Sequence, residues 1–396
     1  MVVSAHPEAS VIGVKILRKG GNAFDAAVAT EFALAVCYPQ AGNIGGGGLI
    51  VLRNADGSVD GLDYREKAPA GAFRDMYLDE NGNVIDKLST GTRLASGVPG
   101  TVAGMISLHE KYGSLPFREL VQPAIDMAAS GFRITAAQAE SLNRMEELFN
   151  KQNSGQVSFV KEGDWIEGDL LVQTELAATL ELIRDKGREG FYGGVTADLI
   201  VEEMKRGNGI ISLEDLSQYI AVWRKPVETD YRQYGIISMA PPSSGGTALI
   251  QLLRIVEKYP LAEWGFSTLR SVHLITEAER RVYADRAEYL GDPDFVDVPV
   301  EALTNPLYLE ARMADFNPGM ATPSSQIYAG AVAPYEGEET THYSIVDSEG
   351  NAVAATTTLN GGYGNAVVVS GAGFLLNNQM DDFSAKPGYA NIYGLV

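Results

Sequence analysis

The chain has 396 residues, of which 45% are hydrophobic and 21% charged, so it contains enough apolar material for a sizeable core. Its net charge of −20 would repel phosphate backbones and anionic membranes, which argues against nucleic-acid and membrane-surface partners. With Cys37 as its single cysteine, the chain can form neither an internal disulfide nor a cysteine metal cluster.

The N-terminal region is predicted to form two helices. The first carries apolar residues at helical spacing between Val11 and Leu17 and ends at a Lys-Gly-Gly stop. Asn22 is a suitable N-cap for the second, which is apolar nearly all round and stops before Pro39. We expect that helix to be buried between layers, with Cys37 as an inert buried thiol. The opening "MVVSAHPEAS" lacks the basic and apolar regions of a signal peptide.

The next segment predicts a hairpin, with strands "LIVLR" and "VDGLDYR" joined by the turn "NADG". Residues from about 96 to 283 are mainly helical in pattern. Strands return with "THYSIV", "AVAATTTLN" and "AVVVSGAGFLL". Strands at both ends and helices between them favour an α/β fold in which two stacked sheets are covered by helices on both outer sides. A doubly wound parallel sheet fits less well, because the strands come in hairpins.

Three kinds of site receive little support from the sequence. The run "NIGGGGLIV" leads into a strand rather than a helix, so close backbone packing explains it better than phosphate binding. Ser243 and Ser244 in "PPSSGG" do not form a nucleophile elbow, and a turn leading into a helix is the simpler interpretation. The four histidines lack metal-ligand spacing, and we expect His342 to be structural and no metal or cofactor to be needed.

Thr340 begins a predicted strand directly after the acidic loop "APYEGEE". A threonine hydroxyl needs a base, and the α-amino group of the same residue can serve if the chain is cut just before it. Its ordinary pKa of ~7.7–8.0 leaves a useful fraction unprotonated at neutral pH. A rigid strand start after a loop suits this chemistry, although threonine is also common at strand starts.

The segments "TTHYSIVDSEGNAVAATTTLN" and "GFLLNNQMDDFSAKPGYANIYGL" resemble the γ-glutamyltranspeptidase family of N-terminal-nucleophile hydrolases. The resemblance runs along the whole chain and includes "GGNAFDAAVA", "PQAGNIGGGG", "DYREKAPA", "ASGVPGTVAG", "PPSSGG", "ADRAEYLGDPDF" and "APYE", in the family's order. It implies a four-layer αββα sandwich forming one structural domain, with a large-subunit region at 1–339 and the start of a small-subunit region at 340–396.

The resemblance also implies an activity. The precursor would cut itself between Glu339 and Thr340, and Thr340 would attack the γ-carbonyl of glutathione or another γ-glutamyl donor. The γ-glutamyl group would then pass to an amino acid, a peptide or water. Thr358 matches the family threonine that hydrogen-bonds the nucleophile.

Further matches concern the donor's amino-acid end. Arg65 matches the arginine that binds the α-carboxylate, although an ion pair with neighbouring acids would equally explain it. Asp382 matches the aspartate that accepts from the α-ammonium, and Asn360 and Gln379 match its polar neighbours. Tyr393 matches the aromatic residue of a lid loop.

The resemblance has one departure. The chain stops at Val396, whereas family members continue with a Ser-Ser pair at the donor carboxylate and a Gly-Gly oxyanion hole, so we expect a fold that is incomplete at the C-terminus. Two alternatives stay open at this point: an amidase of the cephalosporin-acylase or capsule-depolymerase type, and an inactive precursor fragment. Bacterial members of the family are exported, which implies a periplasmic or extracellular enzyme that forms a large/small subunit heterodimer.

Overall fold

The structure is a computed structural model and describes residues 1–330 and 341–392. Its helices are α1 Pro7–Arg18, α2 Ala23–Cys37, α3 Thr101–Tyr112, α4 Phe117–Ser130, α5 Ala136–Gln152, α6 Thr174–Lys186, α7 Glu189–Tyr192, α8 Gly194–Arg206, α9 Leu213–Gln218, α10 Ser244–Val256, α11 Leu261–Trp264, α12 Leu269–Tyr289, α13 Val300–Leu303 and α14 Pro306–Arg312. Its strands are β1 Val2–Val3, β2 Gly47–Arg53, β3 Val59–Asp63, β4 Phe132–Arg133, β5 Leu170–Leu171, β6 Val222–Arg224, β7 Val227–Tyr231, β8 Tyr234–Ser238, β9 Thr341–Val346 and β10 Ala352–Thr358.

Among residues 1–330 and 341–392, the main sheet has six antiparallel strands in the order β1-β9-β10-β2-β3-β6. Strand β10 is therefore central and pairs with β9 on one side and β2 on the other. Thr357 lies opposite both Thr341 and Gly48, and Thr358 lies opposite Gly47. This register brings the start of β9, the end of β10 and the start of β2 to one end of the sheet.

Helix α2 covers one face of this sheet and packs on both β9 and β10. Asn22 caps it, and the Asp25 side chain completes a capping box with the Asn22 backbone. Every residue of the helix is buried, as its all-round apolar pattern predicted. The predicted burial of Cys37, the last residue of this helix, is confirmed, and burial raises the pKa of its thiol far above the ordinary value.

The predicted hairpin is confirmed as β2 and β3, and the two N-terminal helices as α1 and α2. The predicted strand "AVVVSGAGFLL" is wrong, since a single bridge between Val368 and Leu375 is its β-structure. The segment folds back on itself, with Gly371 and Gly373 at positive φ and the Val369 amide donating to Phe374 O. Residues that read as one apolar run thus form the two sides of a tight turn.

The predicted mixed α/β fold is confirmed. The other strand pairs in the described ranges, β4–β5 and β7–β8, are ribbons of two strands, so a second sheet of comparable size is not among these residues. In the same ranges, no helix is both long and apolar enough to cross a membrane.

Candidate active site

The glycine run that opens β2 packs directly against the backbone of neighbouring segments. A Cβ on Gly46 would lie 2.1 Å from Thr358 O, and one on Gly45 would lie 2.0 Å from Leu375 O. A Cβ on Gly47 would meet both Tyr64 O at 2.5 Å and Glu66 Oε2 at 2.7 Å. The predicted close backbone packing is confirmed: the glycines let the end of β10 and the segment around Arg65 approach β2 from opposite sides.

Asn43, just before the glycines, holds the end of β10 in place. Its Nδ2 donates to Thr358 O at 2.8 Å and to Thr357 Oγ1 at 3.1 Å. Its Oδ1 accepts from the Gly46 amide and from Thr101 Oγ1, both at 2.8 Å. One buried amide side chain therefore connects β10, the glycine run and the start of α3.

Thr358 and Asn360 lie at the end of β10 and are both almost fully buried. The Asn360 amide donates to Thr358 Oγ1 at 2.8 Å, and Asn360 has a positive φ of 71°. Asn360 Nδ2 donates to Asn378 O at 2.9 Å. The turn after β10 thereby fixes the Thr358 hydroxyl and connects it to the segment that contains Gln379.

Arg65, Gln379 and Asp382 are brought together although the sequence separates Arg65 from Asp382 by 317 positions. Arg65 Nη2 donates to Asp382 Oδ2 at 2.8 Å, and Gln379 Nε2 donates to the same oxygen. Arg65 Nε also lies 3.7 Å from Glu66 Oε2, so the alternative that Arg65 pairs with an acid next to it in the sequence is partly correct. Asp63 instead pairs with Arg224 at 2.8 Å. The arginine thus lies between two carboxylates, one of them across the site.

These groups border a cavity of about 130 Å³. Glu66 lies in its wall with a side chain that is 1% exposed. Burial raises the pKa of Glu66 to about 7, while the charge of Arg65 acts in the opposite direction. The cavity therefore combines a cation with one fully buried carboxyl group, Glu66, and one partly exposed carboxyl group, Asp382, in a small volume.

Two adjacent asparagines that the sequence analysis passed over support this site. Asn377 Nδ2 donates to the carbonyls of Gly45 and Gly97, and its Oδ1 accepts from the amides of Gly97 and Gln379. Asn378 accepts from the Gly361 amide and donates to Thr90 O. The signal that could have found them is "NNQMDD", in which five of six residues are polar, directly after the apolar "GFLL".

Asp381, which directly precedes Asp382, has a similar supporting role. Its two carboxylate oxygens accept from Ser89 Oγ at 2.7 Å and from the Ile392 amide at 2.8 Å. The segment that follows the site is thereby attached to the loop before α3.

Three of the predicted site residues, Glu339, Thr340 and Tyr393, lie outside the described residues. Ser243 caps α10, which confirms a turn leading into a helix. His342 contacts Thr356 Oγ1 at 2.9 Å and Ser344 Oγ at 3.1 Å, which are structural hydrogen bonds on the sheet. Within residues 1–330 and 341–392, no group of three or more acidic, histidine or cysteine side chains is arranged to hold a metal ion.

A larger open cavity of about 860 Å³ lies against β7, α10 and α14. Its wall includes Arg254, Lys258 and Glu310 but none of the predicted site residues. The larger cavity is therefore not the one around which the predicted site residues converge.

Comparison with known proteins connects this geometry with one family. The profile described as Gamma-glutamyltranspeptidase matches residues 9–396. The chain is 50% identical to the glutathione hydrolase proenzyme of Escherichia coli K12, over all of this chain and 69% of that protein.

Two solved structures extend the comparison. The γ-glutamyltranspeptidase of Helicobacter pylori superposes with a TM-score of 0.81 at 50% identity, covering 85% of this chain and 97% of that chain. Cephalosporin acylase from Bacillus halodurans gives a TM-score of 0.85 at 27% identity, covering 98% of this chain and 70% of that chain.

The match to the profile covers nearly the whole chain and the identity to the relatives is high, so the chain belongs to the γ-glutamyltranspeptidase family. It is an enzyme of that class, and its fold is the mixed α/β fold of the family's solved structures.

Proposed function

We propose that this chain is a self-processing γ-glutamyltransferase and glutathione hydrolase that uses Thr340 as its nucleophile. The observation that carries the proposal is the Arg65–Asp382 pair at the edge of a small cavity, on a segment whose Asn378 is hydrogen-bonded to Asn360, two residues after Thr358. Family membership supports the reaction class, and the site geometry supports the residue roles.

Donor recognition follows from the charges around the cavity. A γ-glutamyl donor has a free α-amino acid end, with one carboxylate and one ammonium group. Arg65 and Asp382 bind each other at 2.8 Å, so a bound donor would exchange one ion pair for two, carboxylate to Arg65 and ammonium to Asp382. Gln379 already donates to Asp382 and would hold its carboxylate in position.

The proposed chemistry has two steps. Thr340 Oγ attacks the γ-carbonyl carbon, the amide C–N bond breaks, and the leaving amine takes the proton that the Thr340 α-amino group removed from the hydroxyl. An acceptor amine or water then attacks the ester, and Thr340 Oγ leaves and regains a proton. Thr358, whose hydroxyl accepts from the Asn360 amide, would hydrogen-bond the nucleophile.

Self-cleavage at Glu339–Thr340 would create the α-amino group that serves as base. It would also divide the chain into a large subunit of residues 1–339 and a region 340–396 that begins the small subunit. The extent of the H. pylori match supports this division: it takes in 97% of that chain and 85% of this one, close to the 86% that 339 of 396 residues represent.

Intact mass spectrometry after incubation at neutral pH tests the proposal. We expect two species that divide the sequence between Glu339 and Thr340, and turnover of a γ-glutamyl anilide. Thr340→Ala should remain one uncut species without turnover. The matched control Thr341→Ala changes the next residue, and at least a fraction of the protein should still be cut. An uncut parent, or an uncut variant at Thr340 that keeps full turnover, would refute Thr340 as the nucleophile.

A second candidate is an amidase of the cephalosporin-acylase type, favoured by the high TM-score of that structure. A glutaryl amide has the same carboxylate spacing as a γ-glutamyl amide but lacks the α-ammonium group. Because Asp382 provides an acceptor for that ammonium, we expect γ-glutamyl amides to react faster than glutaryl amides. Equal rates would favour the amidase.

The acceptors we propose are amino acids, peptides and water, and the working form is a large/small subunit heterodimer. We further propose a periplasmic or extracellular location, in keeping with the resemblance to exported family members. Fractionation of cells that express the natural gene would test the location.

A further inference from the structure

Glu31 lies in the middle of α2 with no accessible surface. It forms no ion pair with any described residue, and its two carboxylate oxygens make no hydrogen bond of good geometry there. The Oη atoms of Tyr64 and Tyr343 are also buried and without such a partner among these residues. A buried carboxyl without a countercharge is costly, so its surroundings need a physical explanation.

The groups that face Glu31 come from three segments of the site. Tyr343 belongs to β9, Thr357 to β10, and Tyr64 directly precedes Arg65. A Cβ on Gly48 would lie 2.8 Å from Tyr64 Oη, and Gly48 is the sheet partner of Thr357, so the three side chains meet beneath the sheet.

The hydrogen bonds of Thr357 indicate how this cluster is connected. Its hydroxyl donates to Gly47 O at 3.2 Å and accepts from Asn43 Nδ2 at 3.1 Å. A hydroxyl has one proton and two lone pairs, so one acceptor position remains. A carboxyl of Glu31 can use that position only as a donor, that is, when it is protonated. The Tyr343 hydroxyl can then donate to the other carboxyl oxygen.

We propose that Glu31 is a positioning residue whose protonated carboxyl bridges Tyr343 and Thr357, holding together the two strand ends adjacent in sequence to Thr340 and Thr358. This inference rests on the proposed function for the roles of those two threonines. Ionisation of Glu31 removes the donated hydrogen bond and leaves an unpaired buried charge, so the site loses its alignment at alkaline pH.

Burial of Glu31 favours the protonated carboxyl that the bridge requires. Burial raises the pKa of Glu31 to about 7, and the hydroxyls of Thr357 and Tyr343 oppose that rise. Glu31 in turn contributes to raising the pKa of the phenols of Tyr64 and Tyr343, behind the larger effect of burial. Glu66 acts on Tyr64 as well. The charged side chains of α1, α3 and α4, which pack on α2, are exposed or partly exposed.

Two variants separate positioning from packing. Glu31→Gln can donate to Thr357 and accept from Tyr343 at every pH, whereas Glu31→Leu keeps the approximate volume and loses both bonds. Thr30→Val is the matched control, because the Thr30 hydroxyl is also buried but faces Gly13 of α1. We would measure kcat and KM for a γ-glutamyl anilide between about pH 6 and about pH 9.

We expect E31Q to keep kcat and to extend activity to higher pH, and E31L to lose about tenfold or more in kcat with KM little changed, as misalignment predicts. T30V should match the parent. Equal pH profiles for the parent and E31Q, or full kcat in E31L, would overturn the proposal.

Hydrogen exchange provides a second measurement that does not need turnover. Peptides from β9 and β10 should exchange faster in E31L than in the parent, while E31Q and T30V should match the parent at about pH 6, where most of Glu31 is protonated. A parent without turnover would refute the proposed function. Unchanged exchange in E31L would refute the role of Glu31.

Discussion

At the residue scale, the proposed selectivity for a group with both charges rests on the Arg65–Asp382 pair. The side chain of Arg65 is 28% exposed and that of Asp382 is 14% exposed, so the pair can be opened by a ligand without uncovering a core. A ligand with a carboxylate alone would leave Asp382 without its cation, and desolvated charges without partners are costly. The proposed role therefore predicts that a donor must satisfy both residues together.

Arg65→Lys tests this arrangement. Lysine keeps the charge but loses the planar fork that suits a carboxylate, so KM for a γ-glutamyl donor should rise by about 10- to 100-fold, corresponding to the loss of ~1.5–3 kcal/mol of charge-assisted hydrogen bonding. Because Arg65 does not act on the reacting bond, kcat should change less than KM. Steady-state kinetics with a γ-glutamyl anilide measures both.

Arg53→Lys is the control, since Arg53 is an exposed arginine at the other end of β2. It should leave both constants unchanged. A fall in kcat with unchanged KM in R65K would contradict a role for Arg65 in binding the donor.

At the scale of elements, the position of the end of β10 depends on the absence of side chains in the glycine run that leads into β2. Gly46 faces the Thr358 carbonyl, and a methyl group there would also lie 2.8 Å from Asn43 Oδ1. Neither neighbour is the free end of a flexible side chain, so the two strands must separate to admit a Cβ.

Gly46→Ala should therefore cost about 1–3 kcal/mol of unfolding free energy, the range typical of an overpacked core. It should also lower kcat by about 10²-fold, because Thr358 is displaced. Gly155→Ala is the control, since a Cβ there meets nothing within 4 Å. Denaturant unfolding and kinetics of the two variants are compared. Normal activity in G46A would show that Thr358 need not hold its observed position.

The sequence predicted the helices and hairpins that are determined by residues close together in the chain. Helix α2 followed from its apolar pattern and Asn22 cap, and the β2–β3 hairpin from its turn. The segment at 366–376 was mispredicted, because period and composition do not reveal a chain reversal at two glycines. Strands β9 and β10 pair locally across a short turn, but the pairing of β10 with β2 spans about 300 residues, which no local pattern contains.

The candidate site shows the same contrast between residues that the sequence identifies and residues that only the fold reveals. Arg65, Gln379 and Asp382 were selected by resemblance to a family, and the structure brings them together. Asn43, Asn377 and Glu31 were missed, because each acts through buried contacts with segments distant in sequence. Glu31 was hidden further by its place in a helix whose pattern indicated burial alone.

At the scale of the whole molecule, a few buried acids control how stability depends on pH, even though the net charge is −20. Burial raises the pKa of Glu31 and of Glu66 to about 7. Burial would also raise the pKa of Glu277, but hydrogen bonds from Thr322 and Arg281 outweigh it and lower that pKa to about 2. The pKa values of Glu31 and Glu66 therefore lie above the ordinary glutamate value of 4.5, and that of Glu277 lies below it.

The resulting prediction is a maximum of thermal stability near pH 4.5 to 5, the ordinary range of a glutamate pKa. Below it, Glu277 is protonated as the pH falls toward 2, and its stabilising contribution is lost. Above it, the unfolded chain ionises at Glu31 and Glu66 before the folded chain does, so their contribution is lost as the pH rises from 4.5 to about 7. The pKa shifts of Glu31 and Glu66 each correspond to ~3 kcal/mol of unfolding free energy.

Melting temperatures between about pH 2 and about pH 8 test this prediction. In Glu66→Gln, the fall in melting temperature between pH 4.5 and about 7 should be about half that of the parent, while the fall on the acid side stays unchanged. Glu80→Gln changes an exposed acid and should leave the curve in place. If the melting temperature of the parent is constant from pH 4.5 to about 7, then Glu31 and Glu66 are not held protonated by burial, and the bridge proposed for Glu31 fails with them.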